Sequence, residues 1–232
     1  MNKTPRLSKS GIEYLDYQWG IFSGCENWAN GICPVPNCWA RSIAYRFPNH
    51  YPDGFNPHYY PEAIDSPIHL RKPSIVGVGW VGDVIGYGFA HRAEIFKAIR
   101  QCPQHRFLFL TKNPDRLISW GSFPDNCWVG VTLTTKMQHL ALFTSGFKYI
   151  EAKMKYVSLE PLLENLYFHP DDIKELGINW VIIGAQTKPY KPPTIEAVEE
   201  IVRACDEAGV PVFQKDNLKP LLGNNLRQEL PK

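Results

Sequence analysis

Short, almost continuously apolar runs recur along the chain, and each is followed by a polar or glycine turn. From residue 75 onward the runs begin about 22 to 32 residues apart, which is the size of one strand-plus-helix unit. The runs are 17–22, 75–80, 106–110, 128–133, 155–159, 180–184 and 210–214. Because strands buried on both faces are apolar throughout rather than alternating, these runs indicate a parallel sheet.

Two of the intervening segments carry the periodicity of amphipathic helices. Segments 90–100 and 194–208 each place their apolar residues on one face, and Gly209 is a suitable stop for the second. Strands that alternate with helices predict an α/β fold with crossover connections. Seven candidate strands favour a partial or open TIM-like (β/α) barrel with mostly parallel strands, and the alternative is a doubly wound open sheet.

The length and composition suit a folded protein with one large core. The chain has 232 residues, of which 44% are hydrophobic and 21% charged, so wholesale disorder is excluded. We expect a single domain over residues 1–232. Segment 46–73 contains six prolines, three histidines and five Phe or Tyr residues, which rules out a regular helix or a central strand. We predict an ordered excursion there, and a polar, partly ordered cap over residues 217–232.

The net charge of the chain and its expected cellular compartment exclude some classes of function. The 25 Lys and Arg residues nearly balance 23 Asp and Glu residues, so the chain as a whole is not a polycation built for a polyanionic partner. The first residues have no apolar core of a secretory leader, and the longest apolar run is too short to cross a bilayer. We therefore expect a cytoplasmic protein without membrane contact, whose six cysteines are reduced thiols or metal ligands.

Three cysteines form the most informative motif. Cys25, Cys33 and Cys38 have the spacing C-x7-C-x4-C on a segment rich in Gly and Pro, and clustered thiolates favour zinc, copper(I) or iron–sulfur centres. A structural zinc site normally has a fourth ligand, and the closest histidine is His50, within segment 46–73. Three cysteines without an evident fourth ligand instead suit a [4Fe–4S] cluster with one open iron. The simplest alternative is three small buried hydrophobic side chains.

The motifs of this chain resemble those of the phage-associated three-cysteine-motif proteins, which are relatives of the radical SAM enzymes. The resemblance begins at GIEYLDYQWGIFSGC, continues through the cysteine motif, and extends to VGDV at 81–84, FLFLTKNPDRL at 107–117, WVGVTL at 128–133, YVSLEPLL at 156–163, WVIIGAQT at 180–187 and GVPVFQK at 209–215. Two departures are the x4 gap before Cys38 and the sequence Gly184-Ala185-Gln186, where the family tends to have Gly-Gly-Glu.

The resemblance implies a partial TIM-type barrel with a [4Fe–4S] cluster that binds S-adenosyl-L-methionine. Reduction by an electron donor protein would cleave this cofactor, and the resulting radical would abstract hydrogen from an unknown substrate. A nucleotide or nucleic-acid base is one candidate class, which combines this chemistry with the nucleic-acid-binding alternative below. By analogy with radical SAM barrels, the residues expected to contact the cofactor are Gly79 and Asp83 at the methionine amino end, Thr132 and Glu160 at the ribose, Gly184 at the adenine, and Gln186 and Lys215 at the remaining strand exits. The glycine at position 79 is expected to allow close approach of a ligand to the backbone.

Two rival functions come from other classes. The first is a zinc-stabilised nucleic-acid-binding module without redox chemistry, in which aromatic rings stack bases. Its candidate rings are Tyr51, Phe55, His58, Tyr59 and Tyr60, flanked by Arg41, Arg46, Arg71 and Lys72. The second is a metal-free barrel hydrolase, but the sequence contains no G-x-S-x-G, H-E-x-x-H or P-loop motif.

Overall fold

The structure is a computed structural model that describes residues 6–35 and 37–231. Its strands are β1 (Leu7–Lys9), β2 (Tyr17–Trp19), β3 (Phe22–Ser23), β4 (His58–Tyr59), β5 (Ile75–Val78), β6 (Arg106–Thr111), β7 (Cys127–Thr132), β8 (Met154–Leu159), β9 (Trp180–Ile183), β10 (Gln186–Thr187), β11 (Tyr190–Lys191) and β12 (Val212–Gln214). Its α-helices are α1 (Trp39–Arg46), α2 (Val84–Tyr87), α3 (Arg92–Arg100), α4 (Lys136–Thr144), α5 (Pro170–Glu175), α6 (Ile195–Ala208) and α7 (Lys219–Leu222).

The main sheet has eight strands in the order β1-β2-β5-β6-β7-β8-β9-β12. The pairs β2–β5, β5–β6, β8–β9 and β9–β12 are parallel, and β1 adds to β2 in the antiparallel sense. This confirms the predicted α/β class with mostly parallel strands. The strand order begins at β1 and ends at β12, and closure into a barrel is not observed in the described part of the chain.

The chain divides into two compact units. The first comprises Met1–Val129 and Glu151–Lys153, and the second comprises Gly130–Ile150 and Met154–Lys232. The boundary falls within β7. The prediction of one domain over residues 1–232 stays a prediction.

The core of the first unit is an aromatic cluster against β6. Trp120 is fully buried and stacks on Phe123 with ring centroids 6.1 Å apart, and Phe96 lies 5.7 Å from Trp120. Burial of each such ring contributes roughly 2–3 kcal/mol. The indole N–H of Trp120 donates to the carbonyl of Ile85 at 3.0 Å, so its polar group is satisfied.

Segment 46–73 is anchored to the same unit. It contains β4, which pairs with β3, and two 3₁₀ turns at Pro61–Ala63 and Ser66–His69. The carbonyl of Ala63 accepts the indole N–H of buried Trp19 at 2.7 Å. The segment therefore has ordered contacts with the core even though prolines keep it from forming long regular elements.

In the second unit, α6 has both of the ends that its sequence predicts. The Thr194 hydroxyl accepts the N–H of Ala197 at 3.2 Å, and Gly209 ends the helix in the left-handed conformation with φ of 71°.

Part of the predicted tail, residues 217–232, is bound to the second unit, because the indole N–H of Trp180 donates to the carbonyl of Glu229 at 2.9 Å. Among the described residues, no helix is long and apolar enough to span a membrane.

Candidate functional site

In the first unit, three neighbouring parallel strands deliver polar residues to one edge of the sheet. The cysteine segment, which we define as residues 25–38, follows β2 and β3. Asp83 follows β5, and Thr111 ends β6 just before Lys112. Because the carboxyl ends of parallel strands lie at the same edge, these side chains converge.

Asp83 is the centre of this edge. It is only 4% exposed, and its Oδ2 accepts from the Asn27 amide at 2.6 Å, the Thr111 hydroxyl at 2.8 Å and the Lys112 backbone N–H at 3.2 Å. Its Oδ1 accepts the backbone N–H of Gly86 at 2.9 Å, which caps α2. Four donors satisfy the buried carboxylate, so it joins three segments of the unit.

Asn27 connects Asp83 to the cysteine segment through hydrogen bonds. Its side-chain oxygen accepts the Tyr87 hydroxyl at 3.0 Å, while its backbone carbonyl accepts the N–H groups of Ile32 and Cys33 at 2.8 and 2.9 Å. Its own backbone N–H donates to the Cys25 sulfur at 3.4 Å. Asp83 therefore positions the turn that carries Cys25 and Cys33, with Asn27 between them.

The environment of Cys25 favours the neutral thiol. Burial raises the pKa of Cys25 to about 12, and the Asp83 carboxylate and the Cys33 sulfur act in the same direction. The Asn27 N–H and the charge of Lys112 oppose this rise in pKa. A thiolate at Cys25 would need more positive charge than this edge of the unit provides.

The three cysteines of the motif differ from the other three. Cys25, Cys33 and Cys38 are free thiols and only partly buried, whereas Cys102, Cys127 and Cys205 are fully buried in the core. Cys38 occupies the position before the first residue of α1, and its carbonyl accepts the N–H of Ser42 at 3.1 Å.

The chemistry of this donor set fits a thiophilic metal, because three accessible thiols lie on one segment. The segment is not closed around a metal in the described residues. Across residues 6–35 and 37–231, no group of three or more His, Cys, Asp or Glu side chains lies close enough together to hold a metal ion. Pro36, between Cys33 and Cys38, lies outside the described residues.

The glycines after β5 approach protein atoms. Gly79 has φ of 64°, and a Cβ there would lie 3.1 Å from Val84 and 3.3 Å from Phe22. A Cβ at Gly82 would lie 2.5 Å from the carbonyl oxygen of Gly24, so the two backbones pack directly. The immediate reason for glycine at these positions is chain packing, and a ligand at Gly79 stays a prediction.

In the second unit, Glu160, Gly184 and Lys215 come together after β8, β9 and β12. The Lys215 ammonium lies 2.5 Å from the Glu160 carboxylate, with 11% and 26% of the respective side chains exposed. A Cβ at Gly184 would lie 3.1 Å from Glu160 and 3.2 Å from Lys215. Glu160 and Lys215 therefore form a direct ion pair, and the glycine at position 184 makes room for it.

Gln186 lies in the β10–β11 hairpin, where its side-chain amide donates to the carbonyl of Pro189 at 2.9 Å. Asn217, which sequence reasoning missed, supports the neighbouring backbone. Its side-chain oxygen accepts the N–H of Ala185 and its amide donates to the Ala185 carbonyl, both at 2.9 Å. The predicted contact of Gln186 with the cofactor stays a prediction.

Thr132 and Ser158 carry buried hydroxyls without hydrogen-bond partners among the described residues. A Cβ at Gly130 would lie 2.3 Å from the Tyr156 ring, so Gly130 and Tyr156 share one face of the sheet. Because strand residues alternate between faces, Thr132 and Ser158 lie on that face as well. Unsatisfied buried hydroxyls are costly, so these two groups suit a bound polar molecule or water.

Sequence reasoning found Asp83, Glu160 and Lys215 because each follows an apolar run. It missed Asn27 and Asn217, whose roles depend on contacts with residues 56 and 32 positions away along the chain. The only local signal for Asn27 is its place two residues after Cys25.

Comparison with known families gives one result. The sequence pattern of a family described as a protein of unknown function, DUF5131, matches residues 9–219. No curated protein and no solved structure matches the chain. The matched range includes all three motif cysteines and both groups of strand-end residues.

Proposed function

We propose that this chain, which belongs to the DUF5131 family, is a radical SAM-like enzyme with an iron–sulfur cluster on Cys25, Cys33 and Cys38. The observation that carries the proposal is the position of these thiols. Three partly buried, unbridged cysteines lie on the segment that Asp83 and Asn27 organise at the carboxyl edge of β2, β5 and β6. We further propose that the sheet is the partial TIM-like barrel that the resemblance implies.

The three thiols would hold the cluster, and the segment between Cys33 and Cys38 would have to close around it. A reduced cluster would supply the electron that cleaves the sulfonium of S-adenosyl-L-methionine and so initiates hydrogen abstraction from a substrate. The electron would come from a donor protein. The remaining chemistry of binding, orientation and water exclusion belongs to the residues of the chain.

In the first unit, Asp83 acts as a positioning residue. Its oxygens are occupied by four donors of the protein itself, so its first task is to fix Asn27 and, through Asn27, the turn that carries Cys25 and Cys33. The contact of Asp83 with the methionine amino group, which the resemblance implies, would require that group to replace one of these four donors, because a carboxylate has about four acceptor sites.

In the second unit, the polar residues suit a ligand rich in hydroxyl groups. The unpartnered hydroxyls of Thr132 and Ser158 and the Glu160–Lys215 ion pair are buried or nearly so. A ribose would satisfy such groups, and this supports the contacts that the resemblance implies for Thr132 and Glu160.

The test is reductive cleavage of S-adenosyl-L-methionine under anaerobic conditions. We expect the purified protein with dithionite to release 5′-deoxyadenosine and methionine, and Cys33→Ser to abolish the release. Cys205→Ala is the matched control, because Cys205 is buried on α6 and outside the motif, and it should retain activity. Equal release by Cys33→Ser and wild type would overturn the assignment of the thiols.

The second candidate is a zinc-stabilised nucleic-acid-binding module. The partly exposed state of all three motif cysteines and the order imposed by Asp83 suit a structural zinc as well. The metal distinguishes the two functions, since a zinc protein would be colourless and inert toward S-adenosyl-L-methionine.

A further inference from the structure

Helix α4 of the second unit carries apolar side chains on two opposite sides. Its inner side contributes the buried residues His139 and Leu142. Its outer side has four exposed residues at the i, i+3, i+4 and i+7 spacing of one helix face, namely Met137, Leu140, Ala141 and Thr144. Met137 is 79% exposed and Leu140 68%. We call these four residues the α4 stripe.

Helix α6 of the same unit shows what a surface helix ordinarily presents to water. Its exposed side carries six charged residues, namely Glu196, Glu199, Glu200, Arg203, Asp206 and Glu207. The sequence of α4 contains one charged residue, Lys136, at its first position. A helix that is apolar on all sides is ordinarily covered on all sides, so the α4 stripe marks an interaction surface.

The charged groups at the two ends of α4 are balanced. At the N-terminal end, Lys136 lies next to Glu164, whose carboxylate accepts the Lys136 backbone N–H at 2.8 Å. After the C-terminal end, Lys148 forms an ion pair with Glu175 at 2.6 Å. The stripe itself consists of uncharged residues, so it does not select a strongly acidic or strongly basic partner.

A second copy of this chain fits these features. A two-fold dimer places one patch against the same patch of the other copy, and an uncharged apolar stripe is its own complement. When the two α4 helices cross in the antiparallel sense, the end with Lys136 and Glu164 meets the end with Lys148 and Glu175. Each cation then has a carboxylate opposite it, whereas a parallel crossing would bring the two Lys136 side chains together.

The exposed apolar area agrees with a weak homodimer. Phe143, 39% exposed, lies next to Leu140 on α4, and Tyr149, 70% exposed, belongs to the 3₁₀ turn Gly146–Tyr149 that packs against the helix. At about 200 Å² for a large side chain, these two rings together with Met137 and Leu140 expose roughly 500 Å². Two copies would therefore bury about 1,000 Å², which is the lower limit for a specific interface.

We propose that the α4 stripe is a homodimer interface, in which the α4 helices of two copies pack antiparallel around a two-fold axis near Leu140 and Ala141. The small side chain of Ala141 lets the helices approach each other, and Leu140 of each copy packs against the same region of the other. Because the area is small, the dimer is reversible and its dissociation constant lies in the micromolar range. The inference uses no metal or redox chemistry, so it stands or falls independently of the proposed radical function.

The test is sedimentation velocity of the full chain over roughly 1 to 300 µM, a range that brackets a micromolar dissociation constant. Anaerobic, reducing buffer prevents disulfides between copies through the partly exposed thiols of Cys25, Cys33 and Cys38. We expect wild type to change from monomer to dimer as its concentration rises. Leu140→Glu and Leu140→Lys should each stay monomeric, because like charges would meet at the axis, and an equimolar mixture of the two should form a heterodimer.

The matched control is Ile118→Glu, because Ile118 is 53% exposed and belongs to the first unit. This variant should dimerise like wild type, and circular dichroism melting should show that every variant is folded. Wild type that stays monomeric at the highest concentration, or dimers that persist in both Leu140 variants, would overturn the proposal. A mixture of the two variants that stays monomeric would also overturn it, because position 140 would then not face itself across a two-fold axis.

Discussion

Asp83 is the residue on which the cysteine segment most depends. A buried carboxylate that accepts four hydrogen bonds leaves four donors unpaired when it is removed. Each buried unpaired donor costs about 1–3 kcal/mol, and relaxation recovers part of this cost. The carboxylate therefore links local order at the cysteine segment to the stability of the first unit.

We predict that Asp83→Ala lowers the free energy of unfolding by about 3 kcal/mol or more, as measured by urea denaturation. Asp125→Asn is the control, because Asp125 is 77% exposed in an ion pair with Lys153, and it should change stability by less than about 0.5 kcal/mol. If the two variants unfold at the same urea concentration, Asp83 does not join the segments as described.

The Glu160–Lys215 ion pair leads to a second prediction at the scale of single residues. Its ammonium and carboxylate are 2.5 Å apart and mostly shielded from water, so removing one partner leaves the other charge poorly compensated. A double-mutant cycle with Glu160→Gln and Lys215→Met should give a coupling of about 1–3 kcal/mol in urea unfolding. The exposed pair Lys148–Glu175, at 2.6 Å with 39% and 61% exposure, should show a smaller coupling that salt weakens further. Equal coupling in the two pairs would contradict the shielding of Glu160 and Lys215.

At the scale of elements, α4 contains a group that ties stability to pH. His139 is 9% exposed and its ring lies 4.3 Å from that of Phe168, and burial lowers its pKa from the usual 6.5 against the opposing charge of Asp172. The unfolded chain therefore binds this proton more readily than the folded chain. The free energy of unfolding therefore decreases as the pH falls through about 6.5. It stops decreasing below the pKa that His139 has in the folded chain.

We predict that His139→Leu reduces the loss of stability between pH 7.5 and pH 5, as measured by urea unfolding at each pH. Met137→Leu is the control, because Met137 lies on the same helix, is 79% exposed and has no titratable group, and it should leave the pH profile parallel to that of wild type. Parallel profiles for His139→Leu and wild type would show that protonation of His139 is not coupled to folding.

The sequence predicts best those elements whose capping residues and apolar runs agree with what the fold buries. The ends of α6 follow from Thr194 and Gly209, and the apolar runs of β6 to β9 predict strands within one or two residues. Run 17–22 was predicted as one strand but is divided into β2 and β3, and run 75–80 ends at Val78 because Gly79 turns the chain. Long-range contacts decide such details, as they do for Asn27 and Asn217, so no local pattern reveals them.

At the scale of the whole molecule, the candidate polar groups of each unit follow the same rule of position. The candidate groups of both units lie at the carboxyl ends of parallel strands, where ligands bind in open α/β sheets, and all of them lie within residues 9–219. The sequence predicts this edge, but the partners of each polar group come only from the structure.

The most direct test of the central claim is the metal content of the protein after anaerobic purification. Iron, acid-labile sulfide and zinc per chain and the visible spectrum are measured for wild type, Cys33→Ser and Cys205→Ala. We predict about four irons and four sulfides in wild type and Cys205→Ala, with brown absorbance, and their loss in Cys33→Ser. One zinc per chain without iron, or no metal at all, would contradict a cluster on Cys25, Cys33 and Cys38.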